Sequence, residues 1–329
     1  MIKSEINSNL LRPSSFKQYI GQKKIIESLK LFTQASKKRG KPSEHLLFYG
    51  PAGIGKTTLA HVVANELGGE IKVTSGAVIQ KAGDLAAILT NLSDYDVFFI
   101  DEIHRLPKPV EELLYPVLEE FVLDIVIGKG PSARSIRLNV PKITIIGSTT
   151  RLALLSAPLR DRFGMVLRLD FYSDQEMAQL ISRTAKILKI PADDRLIKMV
   201  SKRSRKTPRI ANRIMKRIRD LYEVGKFKVI NEKIIDDFFR LLDIDSIGLT
   251  NMDIKYLKLL GEKYNQTAVG VETIASSLSE DRQTIEEFIE PYLLQLGFIK
   301  KTPRGRLITN KALLHLGIKP KNTDQSTLL

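Results

Sequence analysis

The chain has 329 residues, 43% of them hydrophobic, and 52 Lys and Arg face 37 Asp and Glu for a formal net charge of +15. At about 100–200 residues per domain this length holds two or three domains with ample apolar material for a core. The absence of cysteine excludes disulfides and thiolate zinc sites, and no run of about 18 uncharged apolar residues is present to span a membrane. The first residues, Met1 to Leu11, are polar and lack the apolar centre of a signal peptide, so a soluble cytoplasmic protein is expected. The positive surplus points to a polyanionic partner, nucleic acid or an anionic membrane surface, unless it only serves solvation.

In chain order, Leu46–Gly50 is a short apolar run ending in glycine, which predicts a buried strand. Thr57–Leu67 has helical spacing and stops at Gly68-Gly69. Glu70–Thr74 reads as a strand, Asp84–Leu92 as a helix, Val97–Ile100 as a strand buried on both faces, Val110–Phe121 as a helix and Ile143–Gly147 as another buried strand. Strands alternating with helices imply a parallel sheet covered on both faces. From about Asp174 apolar residues recur only at helical spacing, through Met177, Ile181, Leu196, Ile214, Ile235 and Leu242, which predicts a small all-helical domain. From about Ile247 to Ile318, short helices are followed by Phe298-Ile299, a turn at Thr302–Gly305 and Leu307-Ile308, the pattern of a winged helix. Lys319 to Leu329 is a polar tail expected to be disordered. The expected domains are therefore 1–172, 173–246 and 247–318, with the tail at 319–329. There is no internal repeat.

Gly50-Pro51-Ala52-Gly53-Ile54-Gly55-Lys56-Thr57 fits the G-x-x-x-x-G-K-[ST] pattern, after a strand and at the start of a helix. Its glycines let backbone N–H groups face phosphate oxygens, Lys56 reaches the β- and γ-phosphates, and the Thr57 hydroxyl ligates magnesium. Asp101 and Glu102 end a buried strand. Asp101 is placed to hold magnesium, and Glu102 to polarise the attacking water, which favours hydrolysis over passive nucleotide binding. The strand Ile143–Ile146 runs into Ser148, Thr149 and Thr150, where a hydroxyl can sense the γ-phosphate or simply close a turn. Arg160 and Arg162 flank Asp161, and either a surface ion pair or an arginine supplied to a neighbour's γ-phosphoryl accounts for them.

These motifs, together with Leu11-Arg12-Pro13, Tyr19-Ile20-Gly21-Gln22, Asp101–Leu106, Gly128–Ile136, Pro158–Gly164, Thr207–Arg213 and Thr302–Arg306, resemble the RuvB family of AAA+ ATPases over nearly the whole chain. The P-loop and the Asp-Glu pair are shared by many ATPases. The segments at 130–136, 207–213 and 303–306 are far more specific. The resemblance implies an α/β P-loop AAA+ domain with a parallel sheet, a small all-helical lid domain and a C-terminal winged-helix domain. It implies an ATP- and Mg2+-dependent DNA motor for Holliday junction branch migration in recombination and repair, acting as a homohexamer with RuvA and the RuvC resolvase.

By position, the resemblance assigns Leu11, Arg12, Gly53, Gly55, Lys56, Thr57, Thr58, Tyr172 and Arg209 to the nucleotide, with Arg209 as second sensor. Glu119, Glu120 and Phe121 match a nucleotide-proximal segment. Thr149 or Thr150 is the first sensor, and Arg162, with Arg160 as the alternative, is the finger reaching a neighbouring subunit. Arg282, Lys301 and Arg306 match positions that touch DNA, and the predicted hairpin around 123–138 matches a RuvA-binding element. The family usually has Pro at Ala52, Ala at Ser148 and Arg at Lys301; lysine keeps the charge there but loses the guanidinium fork. The basic wing at Lys300, Lys301, Arg304 and Arg306 suits backbone contact without sequence preference. The many cations between Arg195 and Arg219 read as solvated faces or intersubunit contacts.

Two rival readings differ in class. In a winged-helix regulator the ATP site serves only as a switch, and Glu102 with Arg162 argues against that. A clamp loader commonly carries Ser-Arg-Cys at the finger position, which a chain without cysteine does not have, and no clear aromatic pore loop points to a remodeller.

Overall fold

The computed structural model describes residues 8–127, 134–225, 232–264 and 266–320. The chain divides into two compact units, Met1–Lys189 with Thr207–Arg213, and Ile190–Lys206 with Ile214–Leu329. Among the described residues no helix is long and apolar enough to cross a membrane.

The first unit is built on five parallel strands in the order β2-β3-β6-β1-β7, with β1 at Leu46–Tyr49, β2 at Ile71–Ser75, β3 at Val97–Asp101, β6 at Thr144–Thr149 and β7 at Met165–Arg168. All of β6 and the first four residues of β3 are buried, as the uninterrupted apolar runs predict for strands covered on both faces. Helices α1 (Lys23–Arg39), α2 (Lys56–Leu67), α3 (Ala82–Leu89), α4 (Lys108–Glu120) and the short α5 (Ala157–Asp161) complete the alternation. One face of the sheet buries Phe98, Ile100 and Ile145 with Leu85, Leu114, Val117 and Leu159 from α3, α4 and α5.

Two elements, helix α1 and strand β7, lay outside the sequence reading. Helix α1 buries Thr33 and Ser36 alongside Ile26 and Leu29, so its inward face is only half apolar. Strand β7 is four residues long with every second residue more exposed, an edge strand with little apolar signal. Strands β4 (Val122–Ile127) and β5 (Arg134–Asn139) form the expected hairpin, held by a two-point pairing of Arg137 with Asp124 at 2.8 and 2.9 Å. Its turn at 128–133 lies outside the described residues, as does the polar tail from 321 onward.

Helix α6 (Asp174–Leu188) starts on a reciprocal cap in which Glu176 N donates to Ser173 Oγ at 3.2 Å and Ser173 N donates to Glu176 Oε2 at 2.8 Å. It groups with the sheet, as do the first residues of α8 (Pro208–Gly225).

The second unit contains α7 (Asp194–Arg203), the remainder of α8, α9 (Glu232–Leu241) and a winged helix. In the latter, α10 (Asn251–Lys258), α11 (Val271–Leu278), α12 (Arg282–Thr284), α13 (Glu290–Gln295) and α14 (Asn310–Leu316) enclose Tyr256, Leu260, Ile274, Ile285, Leu293 and Leu313. The wing is the antiparallel pair β8 (Ile299–Thr302) and β9 (Gly305–Ile308), with Val269 bridged to Arg306 beside it. Leu259–Lys263 and Ile285–Ile289 are π-helical turns, rare elements that often mark functional sites.

Candidate functional site

The sheet order puts β1, β6 and β3 side by side, so their C-terminal ends deliver three motifs to one edge. Tyr49 at the end of β1 is level with Thr149 at the end of β6, and Ile100 of β3 is level with Gly147. In an open parallel sheet this edge is where ligands bind.

After β1 the backbone turns back sharply. Gly50 has φ +139, and a Cβ there would stand 2.2 Å from the Leu169 carbonyl oxygen, so only glycine is accommodated. At the other end of the loop Gly55, with φ +102, has the Tyr19 hydroxyl 2.9 Å from the place of a Cβ. Lys56 then opens α2 with its side chain folded over the loop, its Nζ donating to the carbonyls of Gly50 and Pro51 at 2.8 Å each. Burial pushes the Lys56 ammonium down to about 8, against the pull of the Asp101 and Glu102 carboxylates. A phosphate bound at this loop would add counter-charge beside the buried ammonium. Thr57 and Thr58 follow in the first turn of α2, both partly exposed.

At the end of β3, Asp101 Oδ1 accepts the Ser148 hydroxyl from the neighbouring strand β6, and the Glu102 amide at 3.1 Å. Glu102 adopts a left-handed backbone, φ 47 and ψ 47, that turns the chain off the strand. For a residue other than glycine such a conformation stores strain, and strain of this kind clusters at functional sites. Its carboxylate is half exposed and pairs with Arg105 at 3.1 Å. Thr149 is buried, its Oγ1 2.9 Å from His104 Nδ1 and accepting the Arg151 amide at 2.9 Å, so this hydroxyl ties β6 to the turn after β3. Thr150 follows it, half buried.

The residues expected to meet the base and sugar fall in the same unit. Leu11 is buried, its carbonyl accepting from Arg183 at 3.0 Å, and Arg12 Nη1 lies 2.9 Å from His61 Nε2 on α2. Tyr172 is buried and donates to the Tyr19 hydroxyl at 3.4 Å; burial raises both phenols, Tyr19 to about 12. Tyr19 had no role in the sequence reading, although its Tyr-Ile-Gly-Gln run was a family signal. Arg209 N donates to Gly53 O at 3.3 Å, which docks the start of α8 on the P-loop while the Arg209 side chain stays exposed.

Arg162 belongs to a second group. It pairs with Glu119 at 3.1 Å, donates to the Pro158 carbonyl at 2.8 Å and stacks on the Tyr115 ring at 4.4 Å. Arg160 is the arginine that pairs with Asp161, at 3.5 Å. Glu120 pairs with Arg137 at 3.8 Å, and Phe121 caps α4 in the left-handed conformation. Thus Glu119–Phe121 contact Arg162 and the hairpin.

The expected DNA contacts form a third group, in the second unit. Arg306 pairs with Glu290 at 2.7 Å and Glu286 at 2.8 Å, Lys301 pairs with Glu290 at 3.0 Å, and Arg282 pairs with Glu272 and Glu286 at 3.0 and 3.1 Å. These cations are engaged with carboxylates, and the Arg306 side chain is only 13% exposed.

Among the described residues no cluster of three His, Asp or Glu side chains could hold a metal by itself. The donors at the P-loop, one hydroxyl and one carboxylate, suit magnesium, which is held by one or two protein oxygens together with phosphates and water.

Three family models match consecutive parts of the chain: the Holliday junction DNA helicase RuvB P-loop domain at residues 11–169, the RuvB AAA lid domain at 172–245 and the RuvB C-terminal winged helix domain at 246–317. The Holliday junction branch migration complex subunit RuvB of Campylobacter hominis is 51% identical over 323 residues, 98% of this chain and 94% of that protein. The subunit of the same name from Chloroflexus aurantiacus is 51% identical over 308 residues, 94% of this chain and 88% of that protein. Among solved structures, the RuvB Holliday junction branch migration motor of Thermotoga maritima superposes with a TM-score of 0.85 at 46% identity, covering 94% of this chain and 99% of that one.

Proposed function

The chain belongs to the RuvB family of P-loop AAA+ ATPases, and from that premise we propose that it is an ATP- and Mg2+-dependent motor that drives Holliday junction branch migration in recombination and repair. The observation that carries the catalytic half is the meeting of Lys56, Thr57, Asp101 and Glu102 at the ends of two strands flanking β6. Thr57 and Asp101 would hold a magnesium ion, which would neutralise charge on the β- and γ-phosphates. Lys56 exchanges its two carbonyl partners for phosphate oxygens. Glu102 accepts a proton from the attacking water once its carboxylate is released from Arg105. Ser148 fixes Asp101, and Thr149 with Thr150 reads the γ-phosphate position. Leu11, Arg12, Tyr172 and Arg209 line the base, sugar and phosphate sides of the same nucleotide.

Arg162, held by Glu119 and Tyr115 on a partly exposed surface, supplies the finger to the neighbouring subunit of a homohexameric ring, with Glu119, Glu120 and Phe121 at the same interface. The three domains, 1–172, 173–246 and 247–318, change their mutual angle through the nucleotide cycle, and duplex DNA is gripped through the wing. The hairpin at 123–138 docks RuvA. It exposes Val126 at 68% and Ile136 at 42%, apolar surface with no place in the core. The RuvC resolvase acts on the junction the motor moves, and the site of action is the cytoplasm. The test is ATP-dependent migration of a synthetic four-way junction with and without RuvA. A chain that hydrolyses ATP with no response to DNA and moves no junction overturns the proposal.

A further inference from the structure

Three cations at and beside the wing, Arg282, Lys301 and Arg306, are paired with three carboxylates, Glu272, Glu286 and Glu290. Arg282, Glu286 and Glu290 lie four residues apart along α12, the π-turn at Ile285–Ile289 and the start of α13. Residues at that spacing share a face of a helix, and here that face is turned to the wing. Glu290 is fully buried and accepts from Arg306 Nε at 2.7 Å, Arg306 Nη2 at 3.2 Å and the Tyr256 hydroxyl at 3.1 Å, with Lys301 Nζ at 3.0 Å. It holds the hairpin in place, and its loss would leave a guanidinium with too little counter-charge in a nearly dry setting.

Glu286 is different. Its side chain is 26% exposed, at the rim of the cluster, and it is shared between Arg306 Nη2 at 2.8 Å and Arg282 Nε at 3.1 Å. Burial alone would raise its carboxyl, but hydrogen bonds from Arg282 and Arg306 outweigh that and hold it below the usual carboxylate range. Arg282 itself is 56% exposed, and its remaining partner Glu272 is 70% exposed and well screened. Three cations against three carboxylates leave this patch with no net charge. Lys300 and Arg304 on the same hairpin are exposed, and among the described residues neither forms an ion pair.

We propose that Glu286 is a built-in competitor for nucleic-acid phosphate at the wing: it occupies Arg282 and Arg306, and so lowers the grip of the winged helix on duplex DNA. This rests on the reading of the winged helix as a duplex-binding domain. Only the backbone is concerned, so the effect is independent of sequence. For a protein that moves along DNA, a contact that is always partly repaid from within is released at less cost than one made to a bare guanidinium.

The test is equilibrium binding of the full chain to non-specific duplex DNA over a range of salt, for the wild type and Glu286→Gln. The glutamine keeps the shape and the acceptor while removing the charge. The variant should bind about fivefold more tightly at roughly 0.1 M salt, with a slope of log K against log salt steeper by about one phosphate contact, and the difference should vanish at high salt. Glu286→Asp, which keeps the charge, should stay near wild type, and ATPase without DNA should not change. If Glu286→Gln folds poorly, Glu272→Gln strips a counter-charge from Arg282 at the surface and should show a smaller gain of the same sign. Unchanged or weaker binding by the charge-removing variants, beside a wild type that binds with a normal salt slope, overturns the proposal. A wild type without salt-dependent duplex binding overturns the DNA-binding reading itself, and this inference with it.

Discussion

Arg105 Nη1 lies 3.1 Å from Glu102 Oε2, so the carboxylate proposed to activate water is occupied by a cation from the next turn of chain. Both side chains are about half exposed, and a pair of that kind contributes only about 0–1 kcal/mol. Arg105→Ala should therefore change the steady-state ATPase rate by less than about fivefold. Glu102→Gln should bind nucleotide with near wild-type affinity and lose at least about 10²-fold in turnover. Single-turnover hydrolysis with fluorescent nucleotide binding measured in parallel separates the two. Near wild-type turnover of Glu102→Gln removes Glu102 from the role of base.

Lys56 gives nucleotide binding a pH dependence. Without nucleotide its ammonium titrates near 8 because it is buried. A bound phosphate stabilises the charged form and raises that value, so binding takes up a proton above pH 8. Affinity should be flat below about pH 7.5 and should weaken as pH rises through 8, by up to tenfold per pH unit for one proton. Lys56→Ala should bind ATP weakly at every pH and lose this slope. Binding titrations from about pH 6.5 to 9.5 test both statements.

His45 sits at the start of the sheet, its Nδ1 accepting from the Ile145 amide at 2.9 Å, and burial pushes the imidazole down to about 4. The unfolded chain binds this proton near the ordinary value of 6.5. Between those two values the unfolded state holds more protons, so stability falls as the solution is acidified from about 6.5 toward 4, by up to roughly 3 kcal/mol. His45→Asn, which cannot take up the proton, should flatten the melting temperature over that window even if it lowers it throughout. An equally steep acid loss in this variant would assign the effect to other groups.

Arg162 and Lys56 serve different subunits if the ring is assembled as proposed. Arg162→Ala alone should bind ATP and hydrolyse at least about 10³-fold more slowly. Mixed with Lys56→Ala subunits, which keep the finger and lack the phosphate cation, some interfaces regain both parts and part of the activity returns. The readout is ATPase rate against mixing ratio at fixed total protein, with co-assembly checked by mass. A verified mixed ring without recovery argues for Arg162 acting within its own subunit. Full activity of Arg162→Ala alone moves the role to Arg160.

The P-loop and the Asp-Glu pair were legible because each is written in consecutive residues. A P-loop needs glycines and a lysine at fixed spacing, and Val97–Asp101 shows both its burial and its carboxylate in one run. Contacts across the fold were not legible. Nothing near Glu119 or Arg162 in sequence announces their pairing at 3.1 Å, since α4 and α5 are brought together only by the core between them. The glutamates that neutralise Arg282, Lys301 and Arg306 were missed for the same reason: a count of wing cations omits carboxylates arriving from other helices. Helix α1 escaped notice because Thr33 and Ser36 occupy inward positions where the helical pattern looks for apolar residues.

The left-handed backbone of Glu102 sets stability and turnover against each other at one position. Glycine or asparagine adopts φ 47 with less strain, so Glu102→Gly or Glu102→Asn should relieve on the order of 1 kcal/mol while abolishing the base. A population evolved only for heat resistance, with no demand for hydrolysis, would tend to discard this glutamate early. Its retention in a laboratory lineage is therefore a gauge of whether selection still feels the motor or only the scaffold.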